Sequence, residues 1–306
     1  MSKNEIRKDY IQDKYVIIAP RRGKRPHNVE RPELLIKPKI SDCPFCPQNL
    51  DRQKSILSVG ENPWQLKVVK NKFPAVTLDS DKAYGVQEVM IETPDHNQEV
   101  EDLKKEHIVK IFDVYAQRTK KISENKKIEY ILIFKNNGGK AGESIRHAHS
   151  QIFATSFIPP HLIDKSQKVQ KYKLEKGSCV YCDVIKKESR GSRLVFQDNN
   201  IIAFTPYASI YNYEIWLMPK RHLDNITLLS YDEKISFAVI LKKILNKINK
   251  LHLPYNYYFH QVINDQDQHL YMKITPRGSI WAGVEIGSGL IINPISPEEA
   301  AKFYRR

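Results

Sequence analysis

At 306 residues the chain can form one large domain or two of about 150 residues, and its 41% hydrophobic content supports a real core. A formal net charge of +14 points either to a phosphate-bearing partner or to a lysine-rich solvated surface. No run of about 18 apolar residues occurs, which argues against a membrane-spanning helix, and residues 1–8 lead into no apolar signal segment, so a soluble cytoplasmic protein is the expectation.

In chain order, residues 8–20 predict a turn and a strand, followed by a dense basic turn, Arg21-Arg22-Gly23-Lys24-Arg25-Pro26. The four cysteines form two pairs, Cys43-Pro44-Phe45-Cys46 and Cys179-Val180-Tyr181-Cys182. In a cytosolic chain, and without a strand–CxxC–helix context, such pairs read as metal knuckles rather than disulfides or redox centres. Residues 67–70 predict a short strand ending in Asn71-Lys72-Phe73-Pro74, and 88–92 another, closed by Thr93-Pro94-Asp95-His96. Leu103, Ile108, Ile111, Phe112, Val114 and Tyr115 recur at helical spacing within 101–123. A buried strand over 130–134 leads into a polar, glycine-rich loop at 136–144, whose backbone N–H groups can approach an anion closely. Then comes Arg146-His147-Ala148-His149-Ser150-Gln151, where strand alternation sends His147, His149 and Gln151 to one side. A loop able to hold phosphate beside a row of imidazoles suggests phosphoryl or nucleotidyl transfer through histidine. The alternative is a partly buried strand with incidental histidines.

The same order returns after the second cysteine pair: strand 201–204, strand 214–218 closed by Pro219-Lys220-Arg221-His222, a striped helix over 231–249, strand 257–259, and a last strand over 268–274. Cys46 to His96 is 50 positions and His96 to His147 is 51; Cys182 to His222 is 40 and His222 to His269 is 47. The spacing predicts a duplication with halves at 1–168 and 169–306, divided in the polar stretch 165–178. His147 then matches His269, His149 matches Tyr271, and Gln151 matches Lys273. The second copy keeps one histidine and lacks the other, so His147 and His269 read as structural and His149 alone as chemical.

Taken together, Arg7-Lys8-Asp9, the stretch 16–26, Cys43-Pro44-Phe45-Cys46, Asn71-Lys72-Phe73-Pro74-Ala75, Pro94-Asp95-His96, 136–144 and His147-Ala148-His149-Ser150-Gln151 resemble the galactose-1-phosphate uridylyltransferase family, within the histidine-triad superfamily, over nearly the whole chain. The resemblance implies an α+β fold of two histidine-triad-like halves, each an antiparallel sheet with packed helices. It also implies a cytoplasmic enzyme of galactose metabolism that works by ping-pong nucleotidyl transfer. His149 would attack the α-phosphorus of UDP-glucose, expel glucose 1-phosphate and carry UMP to a hexose 1-phosphate such as galactose 1-phosphate. Gln151 would donate to a phosphoryl oxygen, and Ser144, Arg22, Arg25, Asn71 and Asn136 match phosphate- or nucleotide-contacting positions. Glu285 matches a sugar-binding position, and a homodimer is expected.

Cys43, Cys46, His96 and His147 would form a closed Cys2His2 zinc site, structural because four protein ligands leave no open position. Cys179, Cys182, His222 and His269 would form a second. His27, His107, His161 and His252 read as surface or loop residues, and His260 as a packed strand histidine. The chain departs from many relatives at Ile145-Arg146, Ala148 and Ser150, and at Ser279, where a sugar-loop lysine is common. Its C-terminal stretch and second cysteine pair are also similar to the ADP-glucose phosphorylase branch. Two other functions therefore stand beside the first: an ADP-sugar phosphorylase using the same covalent histidine, and a non-catalytic, zinc-stabilised nucleotide- or RNA-binding module. No helix-turn-helix, RNP-like or zinc-finger motif supports nucleic-acid binding.

Overall fold

The computed structural model describes residues 4–24, 40–61, 63–263 and 265–306. Arg25 and His27 lie outside the described residues. The first half runs β1 (Glu5–Lys8), β2 (Tyr15–Ile18), α1 (Pro47–Leu50), β3 (Ser55–Val59), β4 (Leu66–Lys70), β5 (Gly85–Ile91), α2 (Lys105–Ser123), β6 (Tyr130–Asn137) and β7 (His149–Thr155). After α3 (Pro160–Lys176) and α4 (Val180–Glu188) come β8 (Leu194–Gln197), β9 (Ile201–Phe204), β10 (Ile215–Pro219), α5 (Tyr231–Asn249), β11 (Tyr255–His260) and β12 (Tyr271–Pro276). The chain closes with α6 (Gly283–Ser288), β13 (Ile291–Asn293) and α7 (Pro297–Arg305).

Ten of the strands form one antiparallel sheet in the order β3-β4-β5-β7-β6-β11-β12-β10-β9-β8. Each half contributes a three-strand meander, a helix, and two further strands of which the later inserts next to the meander. The two halves meet at the β6–β11 pair, where Tyr257 faces Lys135 and Asn256 faces Asn136. The fold is thus α+β with an internal repeat, as the sequence predicts, but the two expected sheets are one continuous sheet. Edge strands of the halves pair with each other, which satisfies backbone groups that separate sheets would leave open.

The 19-residue helices α2 and α5 pack side by side on one face. α5 begins with a reciprocal cap between Ser230 and Glu233. Under the helices lie Met90, Ile131, Ile133, Ile152, Leu217, Met272 and Ile274, all buried. Phe112 of α2 meets Phe237 of α5 and Phe259 of β11 at ring separations of 5.5 and 6.2 Å. Each such side chain contributes about 1.5–3 kcal/mol on burial. Alternation then sends His149, Gln151 and Phe153 of β7 and Phe134 and Asn136 of β6 to the opposite face. Over the second half, that face is roofed by α3 and by a small sheet, β1-β2-β13, whose Val16, Ile18 and Ile291 pack on Ala208.

The stretch 165–178 is not an open linker. Most of it lies in α3, so the expected division at residue 168 falls inside a helix. Within α3 only Lys165 and Val169 are buried, a stripe too thin to announce a helix in the sequence. Gly177, at φ 70°, ends it in the left-handed conformation. Among the described residues no helix is long and apolar enough to cross a membrane.

Candidate active site and metal centre

His149 opens β7 and is 6% exposed. Its Nδ1 lies 2.8 Å from the carbonyl oxygen of His147. A carbonyl only accepts, so Nδ1–H is the donor and Nε2 keeps its lone pair. Burial, and then the nearby charge of Lys135, push the imidazole pKa down to about 4. The ring is therefore neutral at physiological pH, the form that acts as a nucleophile. Phe45, between the first two cysteines, packs 5.1 Å from the His149 ring, centre to centre.

Gln151 is two residues on. Its Oε1 accepts from Gln87 Nε2 at 2.9 Å and from Asn71 Nδ2 at 3.4 Å. With the carbonyl end occupied, the amide nitrogen is left to donate elsewhere. Asn71 is set by its own turn, where its Oδ1 accepts from the Phe73 N–H at 2.8 Å. Gln87 is held by the Ala75 N–H at 2.8 Å.

The loop after β6 turns at Gly138 and Gly142, both near φ +87°. A Cβ at Gly138 would stand 2.8 Å from Pro254 Cβ, so glycine is required there for both conformation and space. Glu143 turns back to accept from the Gly138 N–H at 2.6 Å. Burial pushes that carboxyl up to about 7. Ser144 follows and is exposed. Asn136 accepts from Asn256 Nδ2 at 2.8 Å across the junction of the halves.

Cys43, Cys46, His96 and His147 converge, with ligand atoms within 4.8 Å of one another, and all four are buried. Cys43 Sγ is 3.5 Å and Cys46 Sγ 3.7 Å from His147 Nδ1, and Cys46 Sγ is 3.4 Å from His96 Nδ1. Ligand bonds of ~2.3 Å to sulfur and ~2.05 Å to nitrogen in a tetrahedron place sulfur and nitrogen about 3.5 Å apart. His147 Nε2–H donates to the Thr93 carbonyl at 2.8 Å, which turns the Nδ1 lone pair toward the sulfurs. The group can hold a metal ion.

The second cluster is less complete. Cys179, Cys182 and His222 converge, with Cys182 Sγ 3.3 Å from His222 Nδ1, and His222 Nε2 donates to Gln266 O at 2.9 Å. His269 is buried with its ring 5.1 Å from that of His222. It is not among the mutually close ligand atoms. Its Nδ1 donates to Leu270 O at 3.0 Å, and its buried Nε2 has no hydrogen-bond partner.

Arg22 and Glu285 stand apart from these groups. Pairing of β2 with β13 brings the turn after β2 close to α6, and Glu285 there accepts from the Ala282 N–H at 2.9 Å. That bond lowers its pKa first, with Arg22 contributing. Among the described residues no hydrogen bond or ion pair joins either to His149 or Gln151. His107, expected at the surface, is half-buried and donates from Nε2 to Glu92 O at 2.7 Å. His260 is buried in β11, as expected.

Sequence reasoning missed Gln87, which orients Gln151, and a buried ionic group beneath His149. Lys135 Nζ lies 2.7 Å from Glu92, 3.3 Å from Glu99 and 3.2 Å from the His149 carbonyl oxygen. Burial alone would lower the lysine pKa, but Glu92 and Glu99 outweigh it and raise it. Tyr257 and Tyr115 hydroxyls also donate to Glu92, at 3.1 and 3.3 Å. A lysine continuing an apolar strand was the available signal, since a buried charge demands a partner.

Family models for galactose-1-phosphate uridyl transferase match this chain, the N-terminal domain over residues 1–159 and the C-terminal domain over 165–276. ADP-glucose phosphorylase of Arabidopsis thaliana is 31% identical over 327 aligned positions, covering 98% of this chain and 92% of that one. Galactose-1-phosphate uridylyltransferase of Thermotoga maritima is 29% identical, covering 98% of each. Among solved structures, the Arabidopsis ADP-glucose phosphorylase with bound ADP-glucose aligns at TM-score 0.89 and 30% identity, over 100% of this chain and 99% of that one. A uridylyltransferase structure aligns at 0.76 and 28%, over 99% and 97%.

Proposed function

The chain belongs to the galactose-1-phosphate uridyl transferase family, and from that membership and the site geometry we propose that it moves a nucleoside monophosphate through a covalent bond to His149. The observation that carries this reading is the buried, neutral imidazole with Nδ1–H committed to the His147 carbonyl. Nε2 attacks the α-phosphorus of a nucleotide sugar. The P–O bond to the β-phosphate breaks, and hexose 1-phosphate leaves with that electron pair. The His149 ring becomes a cationic phosphoramidate, and the carbonyl dipole at Nδ1–H meets that charge without moving. An oxygen of an incoming phosphate then attacks phosphorus, the P–N bond breaks and the neutral imidazole returns. Gln151 donates its free amide N–H to the phosphoryl oxygen as charge builds, an interaction of about 3–4 kcal/mol in comparable sites. Ser144 and the turn at 138–142 bind the remaining phosphate oxygens, with Asn71 and Asn136 on the nucleotide; Arg22 and Arg25, matched to the nucleotide by the family resemblance, and Glu285, matched to the sugar, serve the site of the partner copy in the expected homodimer.

Zinc is the proposed ion at Cys43, Cys46, His96 and His147, where its role is to fix the strand that aims His149, and at Cys179, Cys182, His222 and His269. UDP-glucose as donor and galactose 1-phosphate as acceptor follow the family name. A second reading, ADP-glucose with inorganic phosphate as acceptor, is favoured by the Arabidopsis phosphorylase, which aligns over the whole chain at TM-score 0.89. A ping-pong enzyme exchanges labelled glucose 1-phosphate into its nucleotide sugar with no second acceptor present. That exchange, run across UDP-, ADP- and GDP-glucose, identifies the base; no exchange with any of them contradicts the proposal.

A further inference from the structure

Beneath the roof of α3 and the small sheet lies a cavity of about 560 Å³, floored by β10, β11 and β12 and bordered by Phe134, Asn136 and Phe153 of the first half; of this lining only Asn136 is used in the chemistry above. Its position follows from the duplication. In the first half, Gln151 pairs across the sheet with Val89 of β5 and Phe134 of β6. In the second, Lys273 pairs with Trp216 of β10 and Tyr258 of β11. The shared strand order therefore puts Tyr271 where His149 sits and Lys273 where Gln151 sits, and all four of these second-half residues line the cavity. The second half has kept a site's walls and has no nucleophile.

What remains is suited to an aromatic anion. Trp216 stacks on Tyr271 with ring centres 4.6 Å apart and planes 11° apart, beside Tyr258 and Phe134. Lys165 of α3 and Lys14, from the turn between β1 and β2, reach in from the roof. Lys165 is 6% exposed, donates to the Tyr271 hydroxyl and lies 4.7 Å from that ring's centre. Among the described residues it has no carboxylate within ion-pair distance, whereas Lys273 is paired with Glu214 at 2.7 Å. Burial pushes the Lys165 amine down to about 7, an effect that Asp9, a carboxylate that also lines the cavity, offsets only in part. A buried ammonium lacking an anion is costly, and a bound phosphate removes that cost through charge-assisted hydrogen bonds. The volume lies within the ~300–1,000 Å³ of small-molecule pockets.

We propose that this cavity is a second, non-catalytic site for a nucleoside monophosphate, with the phosphate against Lys165 and Lys14 and the base against the aromatic floor. The proposal rests on the repeat and on this cavity, not on the chemistry of His149. Equilibrium dialysis of the full chain with AMP and with UMP tests it, with glucose 1-phosphate and inorganic phosphate as competitors. The wild type should bind one nucleotide per chain more than Lys165→Met does. Lys14→Ala, a change at an exposed turn that leaves folding intact, should weaken that event roughly tenfold. Nucleotide labelling of His149 should be the same in both variants. Equal stoichiometry and affinity in the wild type and both variants overturn the site, and inorganic phosphate competing as well as AMP and UMP overturns the aromatic part of its recognition. Loss of His149 labelling in the wild type would remove the catalytic reading and leave this count unaffected.

Discussion

The His149 ring nitrogen Nδ1 sits 2.8 Å from the backbone oxygen of His147, the residue whose own side chain faces two cysteine sulfurs. One backbone group thus links a cluster able to hold a metal ion to the tautomer of the proposed nucleophile. The relation is rigid because His147 is itself tied to the Thr93 carbonyl.

That linkage predicts the effect of metal loss. Chelation, or Cys43→Ser, should lower the thermal unfolding midpoint and His149 labelling together, with metal content followed by elemental analysis. Cys179→Ser, in the second half, should lower the midpoint while labelling stays near the wild-type level. Full-rate labelling by metal-free protein would break the proposed coupling.

The amide of Gln151 is anchored by Gln87. Gln151→Ala should slow the first chemical step by about 10²–10³-fold, the usual effect of removing one donor to a developing negative charge. Gln87→Leu leaves that donor present but unanchored, so a smaller loss of roughly tenfold is expected, on the order of 1 kcal/mol. Single-turnover rates at saturating nucleotide sugar separate the two. A Gln87→Leu rate equal to the wild type would show that the anchor is dispensable.

Lys135 and Glu92 are both fully buried, at 2.7 Å. Lys135→Met strands the carboxylates of Glu92 and Glu99 and should destabilise the fold by about 3–5 kcal/mol in urea unfolding. Lys135→Met with Glu92→Leu should recover much of this, because the largest uncompensated charge is gone. A double variant no more stable than the single one contradicts the pairing argument.

Glu143 makes stability depend on pH. Its folded pKa of about 7 stands above the ordinary 4.5. Between those values the unfolded chain releases a proton that the folded chain keeps, so this group's contribution falls as pH rises through the window and is level above it. Glu143→Gln removes the slope. The variant-minus-wild-type unfolding free energy should therefore increase between about pH 5 and pH 7.5, and a flat difference would show that the carboxyl is not buried as described.

Much of this was legible in the chain. The period-2 spacing of His149 and Gln151, the two Cys-x2-Cys pairs and the repeat of strand, helix and strand carry into three dimensions, because each depends on local periodicity or on ligand chemistry, whereas His147, expected in the same strand, lies in the bend just before β7. The 231–249 helix matches α5 to the residue. What was hidden depends on register between distant strands. Nothing in the sequence near Gln87 says that it faces Gln151, and nothing near Lys135 says that Glu92 lies beneath it. Likewise α3 was read as a boundary, since a helix with two buried residues has little periodicity to show. The grouping of Arg22 with Glu285, apart from His149, follows from parallel pairing of β2 with β13, a contact between the two ends of the chain.

The most direct test is to mix the protein with UDP-glucose or ADP-glucose labelled at the α-phosphate, quench, and map the label by mass spectrometry. The account predicts an acid-labile, alkali-stable nucleotidyl adduct on His149 with at least one of the two donors. No adduct on the wild type with either donor, or an adduct that persists in His149→Ala, contradicts it.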